Sequence, residues 1–102
     1  MNPLLGLYAA VTRQDAKGQP PKGWLPEQRL KPEEALTAFT AGAAYAAFEE
    51  GHRGVIKPGM AADLTVLDGD VFGADPGMLL RRKVRATMVG GRFVYGPVRR
   101  RR

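Results

Sequence analysis

The spacing of apolar residues changes character near Gly51. Upstream, they recur at helical intervals: Leu36, Phe39 and Ala43 fall on one face, with Ala35 beside them. Downstream, Asp63, Thr65 and Leu67 alternate with Leu64 and Val66, the period of a half-buried strand. The pattern predicts an α+β fold, with helices confined to the first half and an antiparallel β segment in the second.

Local punctuation places the elements. Asn2 is a good N-cap and Pro3 suits a first helical position, predicting a helix over Pro3 to Thr12 that Gly6 weakens. Gln14 to Leu30 holds three prolines and two glycines and reads as a long loop, with Trp24 and Leu25 as its expected apolar pins. Pro32, Glu33 and Glu34 open a second helix, with Lys31 at the N-cap. A break near Gly42 separates a third helix, Ala43 to Glu50, which Gly51 should stop. Pro58-Gly59 has the chemistry of a type II turn and precedes a strand over Ala62 to Leu67. Asp68 to Leu80 is an acidic loop with a helical turn expected at Pro76 to Leu80. Val84–Val89 and Arg92–Tyr95 should pair as a hairpin, with Gly90-Gly91 in a type I′ turn.

Beyond turn and strand, the string Gly54-Val55-Ile56-Lys57-Pro58-Gly59-Met60-Ala61-Ala62-Asp63-Leu64-Thr65-Val66 resembles the G-x-I-x-x-G-x-x-A-D-L-x-V signature near the C-terminus of amidohydrolase-superfamily enzymes. Three further blocks resemble the branch related to N-substituted formamide deformylase. They are Asn2 to Arg13 after the last barrel strand, Leu30 to Leu36 with Ala43 to Ala46, and Val84 to Tyr95 as the closing hairpin. The resemblance covers nearly the whole chain except the arginine tail.

The resemblance implies a fragment. Residues 1–50 would correspond to helices of the outer layer of a TIM barrel, and residues 51–97 to part of a composite β-sandwich, leaving 98–102 as a basic tail. Family members carry a His-x-His and further histidines for a divalent metal such as zinc, plus a catalytic Asp that would precede Asn2. The implied activity is hydrolysis of carbon–nitrogen bonds by metal-activated water, with the chain inactive alone. Asp63 would be structural, bonding neighbouring backbone. Apolar faces at Leu4, Leu7, Leu36, Phe39 and Phe48 would lack their barrel cover, so self-association, or binding to a missing barrel half, is the expected partner behaviour.

The residues themselves point to no catalytic, cofactor-binding or metal-ligating site. His52 is the only histidine, cysteine and serine are absent, and a catalytic zinc wants about three protein ligands. A calcium loop starting at Asp68, with Asp70 and Asp75, would want an oxygen ligand at Phe72 and Glu at Leu79. Surface turns in which Asp caps backbone are the stronger reading. Glu33/Glu34 and Glu49/Glu50 are adjacent pairs, which do not face one another on a helix and read as solvated.

Charge changes the picture only at one end. Residues 1–80 carry 7 Lys/Arg against 10 Asp/Glu, whereas 81–102 carry 9 Lys/Arg and no acid, giving −3 and +9. A small basic nucleic-acid-binding protein is therefore one alternative, and an interaction subunit completing a separate amidohydrolase is another. The first is disfavoured because no aromatic residue interleaves the basic run. No apolar stretch approaches a membrane span and no leader is evident, so a cytoplasmic location is expected. The Arg99–Arg102 tail follows Pro97 and has no apolar partner in sequence. Deleting it should change folding stability by no more than about 0.5 kcal/mol in a urea titration.

Overall fold

A computed structural model describes residues 2–73 and 75–96. It contains helices α1 (Pro3–Thr12), α2 (Pro32–Phe39) and α3 (Ala41–Ala46), followed by strands β1 (Leu64–Leu67), β2 (Val84–Val89) and β3 (Arg92–Tyr95). The strands form one antiparallel sheet in the order β1-β2-β3, so the fold is α+β as the change of period predicts. No helix among the described residues is long and apolar enough to cross a membrane. The Arg99–Arg102 tail lies outside the described residues. Contacts divide the chain into two compact units. One comprises the chain up to Ala38 with Asp70–Arg82; the other comprises Phe39–Gly69 with the chain from Lys83.

In the first unit α1 starts as its sequence dictates. The Asn2 side chain accepts the Leu4 N–H at 3.0 Å, and Leu4, Leu7, Tyr8 and Val11 form its buried stripe. The segment Pro76–Arg81 folds as a 3-10 helix and packs on α1, burying Leu79 to 5% exposure. Asp75 caps that turn by accepting the Gly77 N–H at 2.9 Å. Leu4 and Leu7 are therefore covered within the chain itself, contrary to the expectation that both would be left bare. A segment some 70 residues distant supplies the cover, and periodicity carries no signal for that pairing.

The long loop is held differently from expectation. Trp24 and Leu25 stay 64% and 44% exposed and are not apolar pins. Backbone does the holding: Trp24 N–H donates to the Arg13 carbonyl at 2.9 Å and Leu30 N–H to the Ala10 carbonyl at 3.0 Å. The Gln14 amide adds a bond to the Pro21 carbonyl at 2.8 Å, and the Arg13 guanidinium lies 4.9 Å from the Trp24 ring centroid. A segment of this composition buries little, so it is ordered by satisfying backbone groups. A short 3-10 turn at Pro26–Gln28 completes it.

At α2 the poor N-cap is compensated from inside the helix. The Glu34 carboxylate accepts the Lys31 N–H at 2.8 Å, the half of a capping box that needs no hydroxyl at the cap. Ala35, at 1% exposure, is the buried residue of this helix, whereas Phe39 is 45% exposed. The expected Leu36/Phe39/Ala43 face is not continuous, because α2 ends at Phe39 and α3 restarts at Ala41. Gly42 lies inside α3 and Ala44, not Ala43, is buried.

In the second unit α3 stops early, at Ala46. Phe48 adopts φ +62° while its N–H bonds the Tyr45 carbonyl at 3.0 Å and the Glu49 N–H bonds the Ala44 carbonyl at 2.8 Å. This is a Schellman cap with phenylalanine where glycine is usual, so Gly51 is not the stop signal. Gly54 has φ +106° and backs onto the helix; a Cβ there would sit 2.9 Å from that of Ala44. The turn at Pro58-Gly59 forms as predicted, with Met60 N–H bonded to the Lys57 carbonyl at 3.2 Å and Gly59 at φ +90°.

Register assigns the faces of the sheet. Leu64 pairs with Met88, Val66 with Ala86 and Met88 with Phe93, so these five share one wholly apolar face. Thr65 pairs with Thr87 and Thr87 with Tyr95 on the other. Irregularities fall between Val66 and Leu67 and between Thr87 and Met88. Gly90 and Gly91 both have positive φ, +58° and +81°, as the type I′ turn demands. Because α1 draws its cover from Leu79, Leu79→Ala should lower stability by about 2–4 kcal/mol. Urea unfolding followed by far-ultraviolet circular dichroism reads that loss.

Candidate functional site

In the second unit both carboxylate oxygens of Asp63 are engaged. The residue sits between the Pro58-Gly59 turn and β1, which begins at Leu64 rather than at the expected Ala62. The reason is that Ala62 and Asp63 commit their oxygens to the hairpin turn. The Ala62 carbonyl accepts the Gly91 N–H at 3.0 Å, and Asp63 Oδ1 accepts the Gly90 N–H at 2.8 Å. Asp63 Oδ2 takes the Arg53 Nη1 at 2.8 Å, and Arg53 Nε reaches Glu49 Oε1 at 2.6 Å.

The Glu49–Arg53–Asp63 chain braces the connection between α3 and β1, and Asp63 joins that connection to the β2–β3 turn. Arg53 is half exposed, so the two ion pairs contribute about 0–1 kcal/mol each. The bond to Gly90 matters more, because a tight turn leaves that N–H no backbone partner of its own. The sequence reading of Glu49 as merely solvated missed this linkage. Its signal was present in the four-residue spacing of Glu49 and Arg53, but no helix spans them.

Other candidate residues do not converge. His52 is exposed; its backbone N–H bonds the Glu49 carbonyl at 2.9 Å and its carbonyl accepts the Ala61 N–H at 2.6 Å. Asp68 Oδ1 accepts the Lys83 N–H at 3.1 Å, and Asp70 Oδ1 accepts the Phe72 N–H at 2.9 Å. With Asp75 on Gly77, all three aspartates of the acidic loop cap backbone. Among the described residues no group of three or more His, Cys, Asp or Glu could hold a metal ion. The first unit has a partly open apolar hollow between α1, α2 and Leu79, with about 10 Å³ of space. That is room for one water at most, with no polar side chain to hold it. Around Asp63 the arrangement is a fastening.

The sequence pattern described as "Amidohydrolase family" matches residues 1–95. The Bacillus subtilis (strain 168) protein named "Putative amidohydrolase YtcJ" is 36% identical over 95 residues, 93% of this chain and 18% of that protein. The Arabidopsis thaliana protein LONG AFTER FAR-RED 3 is 38% identical over 101 residues, 93% of this chain and 16% of its own. An imidazolonepropionase from Chloroflexus aggregans (strain MD-66 / DSM 9485) is 50% identical over 44 residues, 43% of this chain and 10% of that enzyme. The chain thus spans less than a fifth of the length of the curated relatives it matches. No solved structure matches it.

Substitutions at Asp63 separate its two roles. Asp63→Ala should lower stability by about 1–3 kcal/mol, since it orphans the Gly90 N–H. Asp63→Asn keeps an acceptor for Gly90 and loses only the ion pair, so its cost should stay under about 1 kcal/mol. Equal losses in urea denaturation would transfer the effect from the turn to Arg53.

Proposed function

Because the chain belongs to the amidohydrolase family, we propose that it forms the C-terminal, structural portion of a metal-dependent hydrolase acting on non-peptide carbon–nitrogen bonds. In this reading the branch is that of N-substituted formamide deformylase. The metal ligands and catalytic Asp belong to a barrel outside residues 1–102, and this chain serves as its outer helices and part of its companion sheet.

The observation that carries the reading is the state of Asp63, the acid of the signature string. Both of its oxygens are engaged, one by the Gly90 amide and one by Arg53. This chain's residues do not fit a divalent metal. His52 is isolated, and the carboxylates of Asp63, Asp68, Asp70 and Asp75 are spent on backbone or arginine. Hydrolysis by metal-activated water needs a fixed ion with an open coordination position and a nearby base. Neither role has an assigned residue here.

A second reading, an interaction subunit completing a separate amidohydrolase, is favoured by the apolar sheet face, where Val66 and Phe93 each remain 45% exposed. Such a subunit would co-purify with a larger chain carrying the barrel.

The purified chain should contain no stoichiometric zinc and should show no turnover of N-formyl or N-acyl substrates above buffer. Metal analysis and an amine-release assay check this. Stoichiometric zinc with turnover lost in His52→Ala would overturn the proposal and require a site assembled from several chains.

A further inference from the structure

Asp68 and Lys83 close one end of the β1–β2 ladder. The Asp68 N–H donates to the Lys83 carbonyl at 3.1 Å, and the Lys83 N–H donates to Asp68 Oδ1, also at 3.1 Å. Both residues lie just outside the pair Leu67 and Val84, past the irregularity between Val66 and Leu67. Gly69 is where the chain leaves the second unit, and Lys83 is where it returns. The two bonds therefore staple the departing end of β1 to the returning end of β2.

The staple holds a reactive pair. The amide nitrogen that follows an aspartate can reach the aspartate Cγ and close a succinimide ring. Of the five aspartates, Asp15, Asp63 and Asp70 precede Ala16, Leu64 and Val71, whose side chains crowd that nitrogen. Asp75 precedes Pro76, which has no N–H to give up. Asp68 alone precedes glycine, whose backbone turns most freely. Asp68 and Gly69 are both exposed, and the Gly69 N–H has no hydrogen-bond partner among the described residues. What stands between the pair and ring closure is the bond from Asp68 Oδ1 to Lys83, which commits the side chain to β2.

We propose that Asp68–Gly69 is a site of spontaneous isoaspartate formation, and that the Lys83 bond to the Asp68 carboxylate sets its rate. When the staple opens and the carboxyl is protonated, the Gly69 nitrogen attacks Asp68 Cγ. A C–N bond forms, and one carboxyl oxygen leaves as water with the acid proton and the amide proton. A second water opens the ring at the old main-chain carbonyl, breaking its bond to the Gly69 nitrogen. The chain then runs through Cγ with one extra backbone atom, and the carboxylate sits on Cα. From there it no longer caps Lys83, so the opening runs one way.

Ageing the full chain at neutral pH and physiological temperature tests it. An isoaspartyl methyltransferase marks each new α-carboxylate with a labelled methyl group, and peptide mapping assigns the residue. Label should accumulate at Asp68 ahead of Asp15, Asp63 and Asp70. Gly69→Ala should lose most of it, and because Gly69 does not adopt positive φ, alanine fits that backbone. Lys83→Pro removes the capping N–H, and Arg82 already has ψ 144°, the extended conformation that suits a following proline. That variant should label about 2- to 10-fold faster, the factor by which one lost hydrogen bond raises the open population. Far-ultraviolet circular dichroism checks that each variant keeps its fold. In unfolding urea the parent should speed up and match Lys83→Pro, which tests the Lys83 bond even if the variant folds poorly. Three results would overturn the proposal: no excess of label at Asp68, undiminished label in Gly69→Ala, or equal rates for the folded and the urea-unfolded parent.

Discussion

The bond from the Gly90 amide to the Asp63 carboxylate is the constraint on which the second unit depends. A two-residue type I′ turn is closed by the strands on either side, but its own first amide has no partner in the ladder. Placing a carboxylate there, with the Ala62 carbonyl on Gly91, fastens the hairpin tip to the chain that enters β1. The register of the sheet follows from that anchor. Leu64 meets Met88 and Val66 meets Ala86 because Asp63 already holds the far end. Arg53 neutralises the carboxylate and links it back to Glu49, just beyond the Schellman cap of α3.

This economy explains why a protein of hydrolase descent shows so little free chemistry in this region. A carboxylate whose oxygens anchor a turn is committed to that fastening and is not also a mobile base. The same holds for Asp68, Asp70 and Asp75, each bonded to a backbone amide within its own loop. What remains unspent is different in kind: half-exposed apolar side chains on one side of the sheet.

Several features were legible in the residues alone, and the reason is that they are local. Asn2 and Pro3 start α1, Pro58-Gly59 forms the type II turn, and Gly90-Gly91 closes the hairpin, because φ and capping preferences act over four residues or fewer. The resemblance to the amidohydrolases was equally a property of the string, needing order and spacing of blocks but no coordinates. The absence of cysteine and serine and the single histidine also bound the chemistry before any fold was known.

Tertiary structure decided what depends on distant partners. Leu79 covers α1 across some 70 residues of chain, and no periodicity announces that contact. Ala35 rather than Phe39 is buried on α2 because the helix ends before its apolar stripe can continue into α3. Phe48, not Gly51, ends α3, since two backbone bonds outweigh the local preference for glycine. The opposite facing of Phe93 and Tyr95 hangs on one extra residue in β3, visible only once β2 is set beside it. Sequence by itself determined which elements form and the family they belong to, because those are short-range and compositional. Which of their faces are covered, and which side chains meet, was left to contacts between segments that are far apart along the chain.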